Sequence, residues 1–140
     1  MKTAREYKDS LRDRNIKVYL KGELLDPKTL IDHPFVRGHV NSAAMTYALA
    51  STKEYEDLMT ATSHLTGRKI NRFTHIHQST DDLVKKVKML RMISQKTGTC
   101  YQRCVGFDAM NATYSVTYEC DQAMGTNYHE RFKKFLTYVQ

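Results

Sequence analysis

The sequence predicts a mainly α domain of about six helices, and three observations predict it. Helix-start signatures recur: Thr3-Ala4-Arg5-Glu6, Ser79-Thr80-Asp81-Asp82 and Asn127-Tyr128-His129-Glu130 each set a small polar residue three positions before a carboxylate. Leu83, Val87, Leu90 and Ile93 follow the spacing of one helix face, as do Phe132, Phe135, Leu136 and Val139. Glycines stand where helices would stop, at Gly98 and Gly125.

In chain order, the Thr3–Glu6 capping box opens a first helix that runs to about Arg12. Lys17 to Gly22 reads as a short extended piece that turns at Gly22. Asp26-Pro27 and His33-Pro34 punctuate a loop, because a residue before proline is pushed out of the helical region. His33 therefore reads as a turn residue. A helix is expected from about Asn41 to Ala50, where Ala44 and Ala48 allow close packing, and a short one from Lys53 to Met59. His64 to Gln78 is polar and mixed and reads as loop.

Ser79 then starts a long helix whose first-turn carboxylates complement the dipole. Gly98 bends or ends it. The following helix is expected from about Thr99 to Met124. On it Cys100, Cys104, Phe107 and Asn111 share one face, and Val105, Ala109 and Ala112 another. Apolar residues on both faces predict a central helix. Thr113 to Tyr118 is rich in strand formers, yet its context is helical. The box at Asn127 opens a last helix.

A chain of 140 residues suits one domain with a real core. Its 41% hydrophobic and 26% charged residues exclude a disordered tail and a membrane-embedded protein. No apolar run approaches the roughly 20 residues of a membrane span, and Met1 to Tyr7 carries no signal-like apolar stretch. A cytoplasmic protein is the expectation. Three cysteines, an odd number, argue against a disulfide framework. The net charge of +7 favours anionic partners without choosing among them. Lys85, Lys86, Lys88, Arg91 and Lys96 crowd one segment, and Arg131, Lys133 and Lys134 another. These read as solvated helix faces or as phosphate contacts.

The chemistry-bearing feature is the pair Cys100 and Cys104. Residues i and i+4 of a helix are neighbours on one face, so two thiolates there can grip one soft metal centre, zinc or an iron–sulfur cluster. Such a centre needs about four ligands. The pair is therefore half of a site completed elsewhere, or two small core residues. Cys120, sixteen residues past Cys104, reads as core. His75 and His77 lie on one side of any extended segment and form a weaker candidate metal pair. Asp81 and Asp82 are explained by the helix start. No glycine-rich phosphate loop, nucleophile elbow or zincin motif is present.

Longer stretches carry a resemblance. Asp32-His33-Pro34, AMTY at 44–47, YEDLMT at 55–60, INRFT at 70–74, HQSTDDLVKKVKM at 77–89, QKT at 95–97, QRCVG at 102–106 and GTNYH at 125–129 resemble the flavin-linked 4-hydroxyphenylacetate 3-hydroxylase family, over essentially the whole chain. Within it they resemble the branch that dehydrates 4-hydroxybutyryl-CoA to crotonyl-CoA and isomerises vinylacetyl-CoA. The resemblance implies the N-terminal helical domain of an acyl-CoA dehydrogenase-like flavoprotein, residues 1–140 forming that single domain, with the family's middle β-domain and C-terminal helical bundle absent. It implies FAD and a 4Fe-4S cluster, a homotetramer, an acyl-CoA substrate, the remainder of the enzyme chain as partner, and neither nucleic acid nor membrane. Cys100 and Cys104 match two cluster ligands; a third cysteine and a histidine come from the bundle. Arg91 and Gln102 match positions near the substrate. Cys120, His75 and His77 match no ligand position. The fragment alone is expected to be inactive. A stand-alone basic helical module binding nucleic acid or metal is the alternative, or a domain of the aromatic hydroxylase branch, which needs no cluster.

Overall fold

The computed structural model describes residues 1–14, 16–98 and 103–140, with the side chains of all but Arg103 and Cys104. Cys100 and Gln102 therefore lie outside the described residues, as does the expected start of the cysteine helix at Thr99. The chain forms two compact units, residues 2–53 and 54–140. The described residues hold six α-helices and two two-stranded antiparallel ribbons.

In the first unit, helix α1 (Ala4–Arg12) opens on the expected capping box. The Thr3 hydroxyl accepts from the Glu6 N–H at 3.2 Å, and the Thr3 N–H donates to the Glu6 carboxylate at 2.7 Å. Strands β1 (Tyr19–Leu20) and β2 (Glu23–Leu24) then form a tight hairpin in which Tyr19 faces Leu24. Lys21 and Gly22 both take positive φ, 51° and 88°, as a two-residue turn matched to strand twist requires. Helix α2 (Pro34–Ala50) begins seven residues before its expected start at Asn41. Pro34 occupies the first helical position, where its missing N–H is no loss. The His33 ring nitrogen caps the helix by accepting from the Phe35 N–H at 3.3 Å. The His33-Pro34 step is thus a helix start. Helices α1 and α2 pack together through stacked Tyr7 and Tyr47 rings, 4.9 Å apart.

In the second unit, α3 (Glu56–Met59) is a single turn that runs into β3 (Thr60–Thr62), which pairs with β4 (Lys69–Asn71). The stretch from His64 to Gln78 is therefore not all loop: it contains β4 and a 3-10 turn over Arg72–Thr74. Three-residue strands are too short to display an alternating pattern. Helix α4 (Thr80–Thr97) starts as expected, with the Ser79 hydroxyl accepting from the Asp82 N–H, and ends at Gly98 in the left-handed conformation.

Helix α5 (Arg103–Met124) includes the strand-favouring Thr113–Tyr118, because tertiary context overrides weak propensity. Phe107 is 1% exposed, packed among Phe73 and His77. The opposite face, expected to be buried, is open: Val105 is 68% and Val116 53% exposed, and Ala109 and Ala112 are exposed beside them. Cys120 on the same helix is a half-buried free thiol rather than a sealed core residue.

Gly125 ends α5, and α6 (Tyr128–Val139) follows. The expected capping box at Asn127 does not form, since Asn127 makes no side-chain cap bond and Glu130 pairs with Lys133 at 2.6 Å. Asp121 of the preceding helix takes its place. Its carboxylate accepts from Thr126 Oγ1 at 2.6 Å and from the N–H groups of Tyr128 and His129 at 2.8 and 2.9 Å. A charged acceptor at a helix N-terminus gains from both the hydrogen bonds and the dipole. Within the expected α6 stripe, Leu136 is fully buried while Phe135 is half exposed and stacks on Phe132.

These caps make a contrasting pair of variants. Asp121→Ala should lower the melting temperature and the helical circular dichroism signal, whereas Asn127→Ala should leave both near wild type. Equal losses in the two would show that Asn127 is the cap.

Candidate functional site

The best-built polar cluster among the described residues surrounds Arg72, which the 3-10 turn after β4 carries into the second unit. The Arg72 side chain is 4% exposed. Its Nε donates to the Leu58 carbonyl at 2.9 Å, and its Nη2 to the carbonyls of Thr60 and Asp57 at 2.7 and 3.1 Å. Its Nη1 donates to Asp82 Oδ1 at 3.0 Å. The other carboxylate oxygen of Asp82 accepts from the Gln78 N–H at 3.0 Å and the Ser79 hydroxyl at 3.2 Å, and it lies 3.2 Å from His75 Nε2. Burial alone would raise the Asp82 pKa; the Gln78 N–H, His75 and Arg72 overcome it and hold the carboxyl well below the usual range. Asp82 thus does more than start a helix.

The run from His75 to His77 joins this cluster to α5. The His77 N–H donates to Asn111 Oδ1 at 2.8 Å, and Asn111 Nδ2 donates to the carbonyls of His75, at 3.4 Å, and Phe107, at 3.0 Å. The His77 ring meets the Phe107 ring edge-on, with centroids 4.8 Å apart. Both ring nitrogens of His77, and Nδ1 of His75, are buried without a hydrogen-bond partner. Burial first, then Lys86 and His75, push the His77 imidazole below its usual pKa.

The two histidines, with ring centroids 6.5 Å apart, do not form a metal site on their own: no group of three or more His, Cys, Asp or Glu side chains among the described residues could hold a metal ion. A polar cleft of about 370 Å³ beside Arg72 and His75 is lined by cations that already have acidic partners. Lys69 pairs with Glu56, and Lys85 lies 2.9 Å from Asp57 and 3.3 Å from Asp81. In the rest of the basic segment, Lys86 is paired to Asp108 and Lys96 lies over the Tyr55 ring, while Lys88 and Arg91 are exposed on α4.

Of the residues singled out in the sequence, Arg91 is exposed on α4, and position 104 falls in the first turn of α5. Cys100 and Gln102 lie outside the described residues. Two thiolates suit two of the four ligand positions of a cubane cluster. The His77 ring, with both nitrogens partnerless, lies against Phe107. Sequence reasoning missed Arg72 and Asn111. An arginine within the short Ile70-Asn71-Arg72-Phe73 stretch, beside Phe73, was the available signal.

Comparison with known proteins gives the following. The family model described as 4-hydroxyphenylacetate 3-hydroxylase N terminal matches residues 3–140. The chain is 54% identical over 138 residues to 4-hydroxybutyryl-CoA dehydratase/vinylacetyl-CoA-Δ-isomerase of Clostridium aminobutyricum, covering 99% of this chain and 28% of that protein. It superposes on an oxygen-tolerant archaeal 4-hydroxybutyryl-CoA dehydratase from N. maritimus with a TM-score of 0.91 at 50% identity, over 99% of this chain and 27% of that one. A mutant of HpaB complexed with FAD matches with a TM-score of 0.58 at 23% identity, over 69% of this chain and 19% of that one, which is a likeness of fold alone. The chain thus spans a little over a quarter of these dehydratases.

Breaking the Arg72–Asp82 pair from either side should destabilise the second unit severely. Asp82→Asn or Arg72→Met is expected to cost about 3–5 kcal/mol in urea unfolding, as for other buried pairs stripped of one partner. A loss under about 1 kcal/mol would mean the pair behaves as a surface contact. Stability should also fall with pH. His64 and His77 are both held below the usual imidazole pKa, chiefly by burial. Below about pH 6.5 the unfolded chain takes up protons that the folded chain does not. Urea midpoints should therefore drop from pH 7.5 to 5.5, and His77→Leu should flatten that slope.

Proposed function

The chain belongs to the 4-hydroxyphenylacetate 3-hydroxylase N-terminal family, and we propose that it is the N-terminal helical domain of an FAD- and 4Fe-4S-dependent dehydratase. The reaction is conversion of 4-hydroxybutyryl-CoA to crotonyl-CoA, with isomerisation of vinylacetyl-CoA. The observation that carries this reading is 54% identity, sustained over 138 residues, to a relative named for both activities. The cysteine pair favours it over the aromatic hydroxylase branch, which has no need of a sulfur centre. The internal pairing of Lys85 and Lys86 disfavours a basic nucleic-acid module.

In this reading residues 1–140 are one domain of a larger polypeptide, whose middle β-domain and C-terminal bundle complete the enzyme. That enzyme is a cytoplasmic homotetramer acting on an acyl-CoA. No helix among the described residues is long and apolar enough to cross a membrane. The thiolates of Cys100 and Cys104 hold one side of the cluster, and a cysteine and a histidine from the bundle hold the other. When bound, the cofactors supply a Lewis-acidic iron and one-electron flavin chemistry. The residues of this domain bind and orient. Arg91, exposed on α4, holds the thioester carbonyl or a phosphate of the CoA moiety. Gln102, between the two cysteines, hydrogen-bonds the acyl group.

Two measurements test this. In the complete polypeptide, Cys100→Ser and Cys104→Ser should each lose cluster iron and dehydratase turnover while the melting temperature of this domain is retained. The 140-residue chain alone, supplied anaerobically with iron, sulfide and FAD, should show no turnover. Stoichiometric FAD with turnover by the chain alone would overturn the division of the site.

A further inference from the structure

A groove of about 630 Å³ lies between α1 and α2 in the first unit, within the size range of small-molecule sites. The two helices pass in opposite directions. Arg12 lies 3.5 Å from Asp32, just before α2, Lys8 reaches Asn41 at 2.7 Å, and Tyr7 stacks on Tyr47. Falling numbers on α1 therefore meet rising numbers on α2. Each helix gives the groove one face. Arg5, Lys8 and Arg12 repeat at i, i+3 and i+7 along α1, and Ala44, Met45 and Ala48 lie within one turn of α2. One wall is cationic. The floor is apolar, built from two short alanines and a methionine that conforms to what it meets.

The cations are unequally matched. Arg12 holds Asp9 at 2.9 Å and Asp32 at 3.5 Å. Arg5 reaches only the other oxygen of the same Asp9, at 3.7 Å, and its side chain is 92% exposed. Lys8 has no carboxylate within ion-pair distance among the described residues. It gives one of its three N–H groups to the neutral Asn41 amide oxygen. Glu6, beside Arg5 in sequence, is committed to the cap at Thr3. Positive charge is thus left over at the Arg5–Lys8 end of the wall. By the antiparallel course of the helices, that is the end where Ala44, Met45 and Ala48 lie.

We propose that this groove binds an amphiphilic carboxylate of medium chain length, its head between Arg5 and Lys8 and its alkyl chain over Ala44, Met45 and Ala48. The chain gains by leaving water, and the head gains charge-assisted hydrogen bonds from two cations that lack a full partner. A small polar anion would leave the floor wet. An uncharged chain would leave the cations unanswered. The proposal does not rest on the function proposed above.

The test is a titration of the isotope-labelled 140-residue chain with octanoate, followed by the amide shifts in its NMR spectrum. Acetate, which lacks the chain, and octyl glucoside, which lacks the charge, are titrated beside it, all below their micelle-forming concentrations. Octanoate should shift amides of α1 and α2 saturably, and the other two should act far more weakly. Arg5→Gln and Lys8→Gln should each weaken octanoate binding roughly two- to fivefold, the scale of an exposed ion pair, and raised salt should weaken it as well. Ala48→Glu, which sets a carboxylate on the exposed part of the floor, should abolish the shifts. The same spectra report that each variant keeps its fold. Octyl glucoside binding as tightly as octanoate would overturn the proposal, as would an unchanged octanoate affinity when Arg5→Gln and Lys8→Gln are combined. Shifts confined to the open face of α5, or none in α1 and α2, would also overturn it and leave the groove to a segment of protein.

Discussion

The second unit is organised by one desolvated ion pair. Arg72 and Asp82 are taken out of water together, so each charge needs partners around its whole rim. The guanidinium finds three carbonyls from residues 57 to 60 and one carboxylate oxygen. The carboxylate gathers Arg72, Gln78, Ser79 and His75. Those requirements fix where α3 ends, how β3 approaches the 3-10 turn, and where α4 begins. An apolar pair could fill the same volume, but it could not dictate so many directions at once.

From that pair the constraint passes to α5 through a short run of chain. His75 is held by Asp82, and Asn111 takes the backbone of His77 and His75 as a strand partner would. Phe107 closes the contact against Phe73 and His77. Helix α5 is thus registered by Phe107 and Asn111, side chains one and two turns past its described start.

What the sequence revealed was governed by distance along the chain. Thr3, Ser79, Gly98 and Gly125 act within one turn of themselves, and each does what its residue type foretells. The capping of α6 escaped because its carboxylate, Asp121, sits seven residues before the first N–H it takes and inside another helix. The early start of α2 escaped because a proline can begin a helix as well as break one. The open face of α5 was misjudged because apolar composition records that a face is fit for burial, not what covers it. At the candidate site, Asp82 was legible as part of a helix start, whereas Arg72 was not: three of its four partners are backbone carbonyls, which every sequence possesses.

The partners of Arg72 have a temporal consequence. All of them lie between residues 57 and 82. Closing loops of that size costs little chain entropy, and short-range contacts form early. On a ribosome, this knot can tie itself as soon as Asp82 clears the exit tunnel. Helix α5 would then emerge onto a finished anvil, the surface that receives Phe107 and Asn111 in place before either residue has been translated.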